Sequence, residues 1–240
     1  MSEELLRTKL LIGDEGLEKL HNAKVAVFGV GGVGGYVVEA LARSGIGSLT
    51  IVDDDVVAPS NINRQIIALH STIGKSKVQV MKDRIHDINP EIAVDARQCF
   101  YLPETAAEFD FSEYSYIVDA VDTVTAKLEI IMQAKDKKIP VISSMGTGNK
   151  LDPSRFCITD IYKTEVCPLA KVMRQECRKR GIKKLKVLYS PEIPIKNKST
   201  NVEENSNHAK RSTPGSIAFV PPTAGLLIAG EVVNDILKGM

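Results

Sequence analysis

The chain alternates between short runs of apolar residues and longer segments whose apolar residues recur at helical spacing. The run at 25–28 is short and β-branched, which is typical of a buried parallel strand. Helical spacing follows over 33–43, and a second apolar run occupies 48–52. This order predicts an α/β fold with a doubly wound, Rossmann-like and mostly parallel sheet.

Later segments extend this pattern. A helix is predicted over 77–88, where it ends before a proline, and strands are predicted over 114–118 and 139–143. The polar segment at about 195–215 has almost no apolar periodicity and is expected to form a long mobile loop. The apolar segment over 221–236 is expected to be a C-terminal extension that packs on the core or on a second subunit.

A glycine-rich segment follows the first predicted strand directly. Gly29 allows a tight turn, Gly31 allows close approach of the backbone to a phosphate, and Gly34 allows close packing of helix on strand. Gly32 completes the segment. Asp53 lies 19 residues after Gly34, where an acidic residue holds a ribose hydroxyl. The segment predicts nucleotide binding, although an NAD-dependent dehydrogenase and an ordinary tight turn also fit these residues.

Charged residues further along the chain separate these possibilities. Arg64 follows an acidic cluster, and Lys77 lies in the first turn of a predicted helix, where a cation opposes the helix dipole. Asp122 follows a predicted strand on the ligand edge of such a sheet, where it could hold Mg²⁺ against phosphate oxygens. Together these residues suit attack on a phosphate. A dehydrogenase would need a histidine or tyrosine proton donor, and the histidines show no such placement; His21 and His86 are expected on helix surfaces.

Composition narrows the class of protein. The 240 residues are 43% hydrophobic and the formal net charge is +1, so no field of the whole chain favours nucleic acid. The polar, acidic N-terminus is not typical of a signal peptide, and no charge-free apolar run reaches the roughly 20 residues of a membrane span.

The four cysteines form no CxxC pair, so a zinc site is not expected. We expect a cytoplasmic protein with free thiols. Cys167 is the candidate for a reactive thiol, and peripheral membrane contact by the C-terminal apolar segment stays open.

In order along the chain, these motifs resemble the ubiquitin-activating-like (ThiF-type) family of ATP-dependent adenylating enzymes. The shared pattern is GxGGxG, an acidic strand end, SNxxRQ, a GxxK turn and a late strand-end aspartate; here these are 29–34, Asp53 with Asp55, 60–65, 74–77 and Asp122. The resemblance implies a homodimer that adenylates a carboxylate with ATP and Mg²⁺ and releases pyrophosphate.

The resemblance also implies roles for individual residues. The cofactor-binding set would be Gly29, Gly31, Gly32, Gly34, Asp53, Asp55, Asn61, Arg64, Gln65 and Lys77. Arg64 and Asn61 would contact the phosphates, Lys77 would stabilise charge developing on the α-phosphate, and Asp122 would hold Mg²⁺. Family members take one more arginine from the partner subunit. Its counterpart here is Arg7, although the position three residues earlier, where the family often has a second arginine, is a glutamate.

Several segments are similar to the branch of this family that dehydrates N6-threonylcarbamoyladenosine in tRNA: 61–66, 114–122, 138–141, 151–153 and 168–170. The similarity implies that ATP activates the threonylcarbamoyl carboxylate, which then cyclises at adenosine 37, beside the anticodon. Two alternatives stay open. One is an activator of a small sulfur-carrier protein, although the paired CxxC motifs common in such activators are missing. The other is a non-catalytic NAD- or nucleotide-binding module.

We therefore expect a single adenylating domain over 1–240, with an N-terminal arm and helix (1–23), a nucleotide-binding core (24–150) and a half for substrate and dimer contacts (151–240). Residues 171–186 carry eight Lys or Arg against one Glu. This run predicts either contact with tRNA phosphates or a solvated helix followed by an edge strand. A sulfur-transfer or delivery protein is a further candidate partner.

Overall fold

Seven strands form one sheet, in the order β3-β2-β1-β4-β5-β7-β6. The computed structural model describes residues 3–196 and 214–239. The strands are β1 (Lys24–Phe28), β2 (Ser48–Val52), β3 (Ala93–Arg97), β4 (Tyr116–Asp119), β5 (Val141–Ser144), β6 (Cys157–Asp160) and β7 (Lys186–Tyr189). All neighbouring strands are parallel except β6, which runs antiparallel to β7.

Six α-helices of the described residues cover both faces of the sheet. They are α1 (Leu6–His21), α2 (Gly34–Ser44), α3 (Lys77–Ile88), α4 (Val124–Asp136), α5 (Pro168–Lys179) and α6 (Val220–Leu237). One buried apolar cluster joins α1, α2, α3 and α6 to the sheet, and a second joins α4 and α5 to its other face. The predicted doubly wound, mostly parallel α/β fold is therefore confirmed.

The sheet differs from the sequence-based prediction at two places. Strand β3 was not predicted, because it lies at an edge and its alternate positions are polar, Asp95 and Arg97 among them. One interpretation of the basic run at 171–186 is a solvated helix followed by an edge strand, and the edge position is wrong. The strand is β7, which lies between β5 and β6, and its Val187 and Leu188 are fully buried because both faces of the strand are covered.

The C-terminal extension packs on the core, one of the two positions expected for it. Helix α6 lies so close to α2 that a Cβ atom built on Gly225 would be 2.4 Å from the Val33 carbonyl oxygen. The mobile loop predicted at about 195–215 lies almost wholly outside the described residues. None of the helices in the described ranges combines the length and apolar character that crossing a membrane requires.

Candidate functional site

A cavity of about 740 Å³ opens at the carboxyl ends of β1, β2, β4 and β5. Its position follows from the fold, because the helices on the two faces diverge where the order of parallel strands reverses. Its lining includes nearly all of the predicted site residues: Gly29, Gly31, Gly32, Asp53, Asp55, Asn61, Arg64, Gln65, Lys77 and Asp122. Of the predicted set, Gly34 and Arg7 do not line it.

The glycine segment forms the floor of this cavity. Gly29 has φ +90°, and a Cβ atom there would lie 2.7 Å from the Ala120 carbonyl oxygen. A Cβ atom on Gly34 would be 1.7 Å from the Gly29 oxygen, so Gly34 permits helix packing rather than ligand contact. Gly31 has open space around it, with only the Gln65 side chain within 4 Å of a Cβ atom. The open backbone at Gly31 and the N-terminus of α2 make a cradle suited to an anion.

Asp53 directly follows β2, and its side chain is 10% exposed and is fixed by backbone donors. Its two carboxylate oxygens accept hydrogen bonds from the Val30 N–H at 2.7 Å and the Asp55 N–H at 3.0 Å. Burial raises the pKa of Asp53, and the nearby Lys77 charge and the two backbone donors partly oppose this. The carboxylate is therefore held rigidly beside the glycine turn, the position predicted for a ribose contact.

Lys77 is the first residue of α3 and is almost fully buried. Its Nζ lies 2.6 Å from an Asp55 carboxylate oxygen and 3.8 Å from one of Asp53. Its backbone N–H also donates to the Asp55 carbonyl oxygen at 3.1 Å. These contacts explain how a lysine is tolerated at a helix N-terminus: the two carboxylates compensate for its unfavourable position in the helix dipole.

Beyond the acidic cluster, the segment between β2 and α3 contributes three polar side chains to the cavity lining: Asn61, Arg64 and Gln65. The Asn61 side-chain oxygen accepts from the Ala58 N–H at 3.0 Å and so fixes the short turn that carries Arg64. The Arg64 guanidinium donates to the Ser60 carbonyl oxygen at 3.0 Å and lies at the cavity. Gln65 is buried, and its side-chain oxygen has no hydrogen-bond partner in the described part of the chain. An unpaired buried oxygen on a cavity wall suits a polar ligand.

Four carboxylates face this cavity, and they form its most acidic region. The ligand oxygens of Asp53, Asp54 and Asp55 lie within 4.8 Å of one another. Asp122 is exposed in the loop after β4. Burial raises the pKa of Asp54, and the charges of Asp55 and Asp122 raise it further, so Asp122 acts on the same region. Clustered carboxylate oxygens beside a phosphate cradle are a donor set that fits Mg²⁺. Asp54 was not in the predicted set.

A buried ion pair fixes the loop that carries Asp122. Lys127 and Asp119 are both fully buried, with the lysine Nζ 3.0 Å from one carboxylate oxygen. The same Nζ donates to the Val121 carbonyl oxygen at 2.9 Å, and the Ser143 hydroxyl donates to the other oxygen of Asp119 at 2.5 Å. This network connects β4, β5 and the start of α4, and it sets the position of the metal-binding candidate.

Aromatic residues that the sequence did not predict form another part of the cavity wall. Tyr101 packs edge-on against Phe28 with ring centroids 4.8 Å apart, and Phe100 and Cys99 lie beside it on the cavity. The Tyr101 hydroxyl is buried without a hydrogen-bond partner among the described residues, and burial raises its pKa. These residues follow β3, and without a prediction of that strand nothing in the sequence placed them at the cavity.

Arg7 and Cys167, which the sequence marked as candidate functional residues, do not line the cavity. Arg7 is exposed on α1, so its proposed role needs a second copy of the chain. All four cysteines are free thiols, as predicted, and Cys167 is 1% exposed. A buried thiol is not accessible to a reagent, so the alternative of a structural Cys167 is favoured. His21 and His86 are exposed on helices, as expected.

Comparisons with known proteins agree with this geometry. A family model described as the ThiF family matches residues 4–239. The tRNA threonylcarbamoyladenosine dehydratase of Bacillus subtilis is 48% identical over 244 residues, which cover 99% of this chain and 96% of that protein. The crystal structure of E. coli tRNA N6-threonylcarbamoyladenosine dehydratase in complex with ATP is 31% identical, with a TM-score of 0.89 over 99% of this chain and 95% of that one. The AMP complex of the same enzyme is 32% identical, with a TM-score of 0.88 over 97% and 93% of the two chains.

Proposed function

This chain belongs to the ThiF family, and from that premise we propose that it catalyses the ATP-dependent dehydration of N6-threonylcarbamoyladenosine in tRNA. The observation that carries the proposal is the combination within one cavity of a glycine cradle, the cations Arg64 and Lys77, and a group of carboxylates. Two proteins similar to nearly the whole chain are tRNA threonylcarbamoyladenosine dehydratases, from Bacillus subtilis and E. coli. The crystal structure of the E. coli enzyme contains ATP.

The reaction has two steps. A carboxylate oxygen of the threonylcarbamoyl group attacks the α-phosphorus of ATP, the bond to the β-phosphate oxygen breaks, and pyrophosphate leaves. A nitrogen of the same modification then attacks the activated carbonyl carbon, AMP leaves with the former carboxylate oxygen, and the nitrogen loses its proton. The nucleoside therefore loses the elements of one water molecule, and ATP is converted to AMP and pyrophosphate.

In the first step, negative charge shifts onto phosphoryl oxygens, so fixed positive groups lower the barrier. Arg64 reaches the cavity from the middle of the segment between β2 and α3, and Lys77 reaches it from the start of α3. Lys77 is paired with Asp55 in this structure, which keeps the lysine positioned beside the cavity. The Gly31 backbone and the N-terminus of α2 would hold the phosphates, and Asp53 would hold the ribose.

Mg²⁺ would be held by Asp122 together with a neighbouring carboxylate. One or two carboxylates plus substrate phosphates are its usual ligands. The pKa of Asp54 is raised first by burial and then by the negative charges of Asp55 and Asp122, which places Asp122 near this cluster. When bound, Mg²⁺ would supply positive charge to the phosphates. The buried Lys127–Asp119 pair would keep the Asp122 loop in place while this charge is bound.

The second copy of a homodimer would supply Arg7. In the isolated chain Arg7 is exposed, and the same helix exposes Leu10 by 79% and Leu11 by 87%. Neighbouring exposed leucines are a feature of surfaces that bind another protein. Helix α1 is therefore the element through which we expect the partner copy to approach. A delivery protein is a further candidate partner, and nothing in the described residues points to where it would bind.

The test is a single-turnover assay on natural substrate. Purified protein is incubated with ATP, Mg²⁺ and tRNA that carries threonylcarbamoyladenosine, and the digested nucleosides are analysed by mass spectrometry. We expect the modified nucleoside to lose the mass of one water, with one AMP formed for each product. An ATP analogue with a methylene group between the α- and β-phosphates should bind and give no product.

The same preparation separates the alternatives. Exchange of labelled pyrophosphate into ATP that requires a small carrier protein, with no change in the tRNA, would favour the sulfur-carrier activator. Tight binding of NAD with neither reaction would favour the non-catalytic module. Unchanged tRNA under conditions in which ATP binds would contradict the proposed function.

A further inference from the structure

A surface rich in positive residues lies outside the lining of the cavity. It is formed by the ends of α4 and α5 and by the loop that follows α5. We call it the basic surface, and its exposed residues are Lys135, Arg178, Lys179, Arg180, Lys183 and Lys184. The chain as a whole is nearly neutral, with 31 Lys or Arg against 30 Asp or Glu, so this concentration of one sign is a local property.

Not every charge of the basic run is available to a partner. Lys179 and Arg180 each lie 2.6 Å from a carboxylate oxygen of Glu176. Lys186 is held by Glu231 at 2.7 Å, and Arg174 donates to the Thr164 carbonyl oxygen at 2.8 Å. These four residues have structural partners, so the run as a whole overstates the charge that a ligand would meet.

Four positive side chains of the basic surface form no ion pair among the described residues: Lys135, Arg178, Lys183 and Lys184. Arg178 lies over the ring of Tyr162, with 5.2 Å between the guanidinium carbon and the ring centroid, which fixes its position. Lys183 and Lys184 are exposed in the loop after α5, and no carboxylate of the described residues forms an ion pair with them. The helix dipole explains a cation in the last turn of α5, but the two lysines lie beyond the end of that helix.

Positive charges also lie close together between α4 and the loop after α5. Lys135 on α4 is exposed but partly covered by its neighbours, and this partial burial lowers its pKa first, followed by the neighbouring positive charge of Lys184. Proximity of like charges is unfavourable in the free protein, and an anion bound between them would relieve it. Helices α4 and α5 pack against each other on one face of the sheet, so these charges form one continuous surface.

The direction of the helices sets the distance to the cavity. Pro168 and Leu169, at the start of α5, line the cavity, and α4 starts just after Asp122. Both helices run away from it, and α5 has 12 residues, which at 1.5 Å each gives a length of about 18 Å. A ligand that meets the cavity and the basic surface together must therefore be extended and carry negative charge along its length.

We propose that the basic surface binds the phosphate backbone of the tRNA stem next to the loop whose adenosine enters the cavity. This inference rests on the proposed function, which supplies the identity of the extended polyanion. The surface carries no aromatic side chains for stacking apart from Tyr162, which Arg178 covers. The contact would therefore be electrostatic and independent of sequence, and it would act on affinity without taking part in the chemical steps.

The test neutralises three of the four side chains of the basic surface that form no ion pair among the described residues, those of α5 and the loop after it, in the variant Arg178→Gln, Lys183→Gln, Lys184→Gln. Binding of the modified tRNA is measured by fluorescence anisotropy over a series of salt concentrations. Each lost phosphate contact should reduce the slope of log affinity against log salt by about 0.7–0.9, so we expect a decrease of about 2–3. KM for tRNA should rise by about tenfold or more at low salt, with kcat and ATP affinity unchanged.

The matched control neutralises Arg43, Lys82 and Lys238, which belong to the helix layer on the other face of the sheet. This control should keep the wild-type slope. If the wild-type protein dehydrates tRNA and the basic-surface variant has an unchanged salt slope, the inference is wrong and the proposed function stands. A fall in kcat with unchanged KM would also contradict it. If the wild-type protein neither binds nor dehydrates modified tRNA, the proposed function itself fails.

Discussion

Two cations of the cavity are held in different ways, and this suggests different contributions. Lys77 is buried against Asp53 and Asp55, so its removal would leave two carboxylates without their counter-charge. Arg64 makes its contacts with neutral oxygens of Ser60 and Asn63. Replacing Arg64 therefore changes the charge near bound phosphate with little effect on the free protein, which makes it the cleaner probe of catalysis.

The variant Arg64→Ala should lose turnover by about 10²–10³, because a fixed positive group that acts on the transition state is worth that much in comparable sites. ATP affinity should fall only modestly, since the cradle and Asp53 remain. The measurements are kcat and KM for dehydration together with the Kd of ATP from calorimetry.

Arg43→Ala is the control for this variant, because Arg43 forms an ion pair on α2 away from the cavity lining. It should keep kcat within about a factor of two, as surface ion pairs contribute little. An equal loss of ATP affinity and of turnover in Arg64→Ala would show that Arg64 only anchors ATP.

At this scale, residues in short ordered motifs were predictable and residues from separate segments were not. The turn at Gly29 and the carboxylate at Asp53 belong to one strand–turn–helix–strand unit, whose geometry fixes both. Tyr101 and Asp54 depend on which strands neighbour each other and on local side-chain direction. Their places at the cavity followed only from the folded sheet.

Among the elements, the contact between α6 and α2 shows how the second half of the chain closes the cavity. Pro221, at the start of α6, lines the cavity, and a Cβ atom built on Gly32 would lie 3.1 Å from its Cβ. Gly225, one turn later, allows α6 to lie against Val33 and Tyr36 at the start of α2. The N-terminus of α2, which lies at the cavity, is thus held in place by the C-terminal helix.

The variant Gly225→Ala should destabilise the protein and weaken ATP binding together. Its Cβ would lie 2.4 Å from the Val33 backbone oxygen, so one helix must move, and overpacking of this kind costs about 1–3 kcal/mol. Thermal unfolding with and without ATP measures both effects.

Gly230→Ala is the matched control on the same helix. A Cβ atom there has no neighbour within 4 Å, and alanine is favoured over glycine in a helix by about 1 kcal/mol. We expect Gly230→Ala to unfold at the same temperature as the wild type or higher. Equal destabilisation by both variants would mean that the close contact of α6 with α2 has no special importance.

Strand order explains which elements the sequence could predict. Strands β1, β2, β4 and β5 are covered on both faces and read as apolar runs, so their predicted bounds agree with the structure within a few residues. The edge strand β3 lacks that pattern. The position of β7 inside the sheet depends on the antiparallel partner β6, and no local signal in the sequence specifies such pairing.

For the whole molecule, the proposed role of Arg7 depends on a second copy of the chain. Its side chain lies on α1, outside the lining of its own cavity, on the helix that exposes Leu10 and Leu11. A second copy that covers these leucines would bring its own Arg7 to the cavity of the first. Each active site would then contain residues of two chains. Two inactive variants with substitutions in different parts of the site should therefore complement each other in a mixed dimer.

Co-expression of an Arg7→Ala chain with an Arg64→Ala chain should recover activity that neither variant has alone. In the mixed dimer, the cavity of the Arg7→Ala chain keeps its own Arg64 and receives an intact Arg7 from the partner copy. The other cavity has lost both. Affinity tags of two kinds isolate the mixed dimer, and dehydration of tRNA is measured on it.

The control adds Leu10→Glu and Leu11→Glu to both chains. Two charges on the exposed face of α1 should separate the copies in sedimentation and abolish the recovery, while ATP still binds, because the cavity lining is intact. Leu151→Glu, at a leucine that is 53% exposed, should leave the dimer unchanged. If the purified mixed dimer of the Arg7→Ala and Arg64→Ala chains stays inactive, Arg7 is not supplied by the partner copy, and the second chain must serve another purpose.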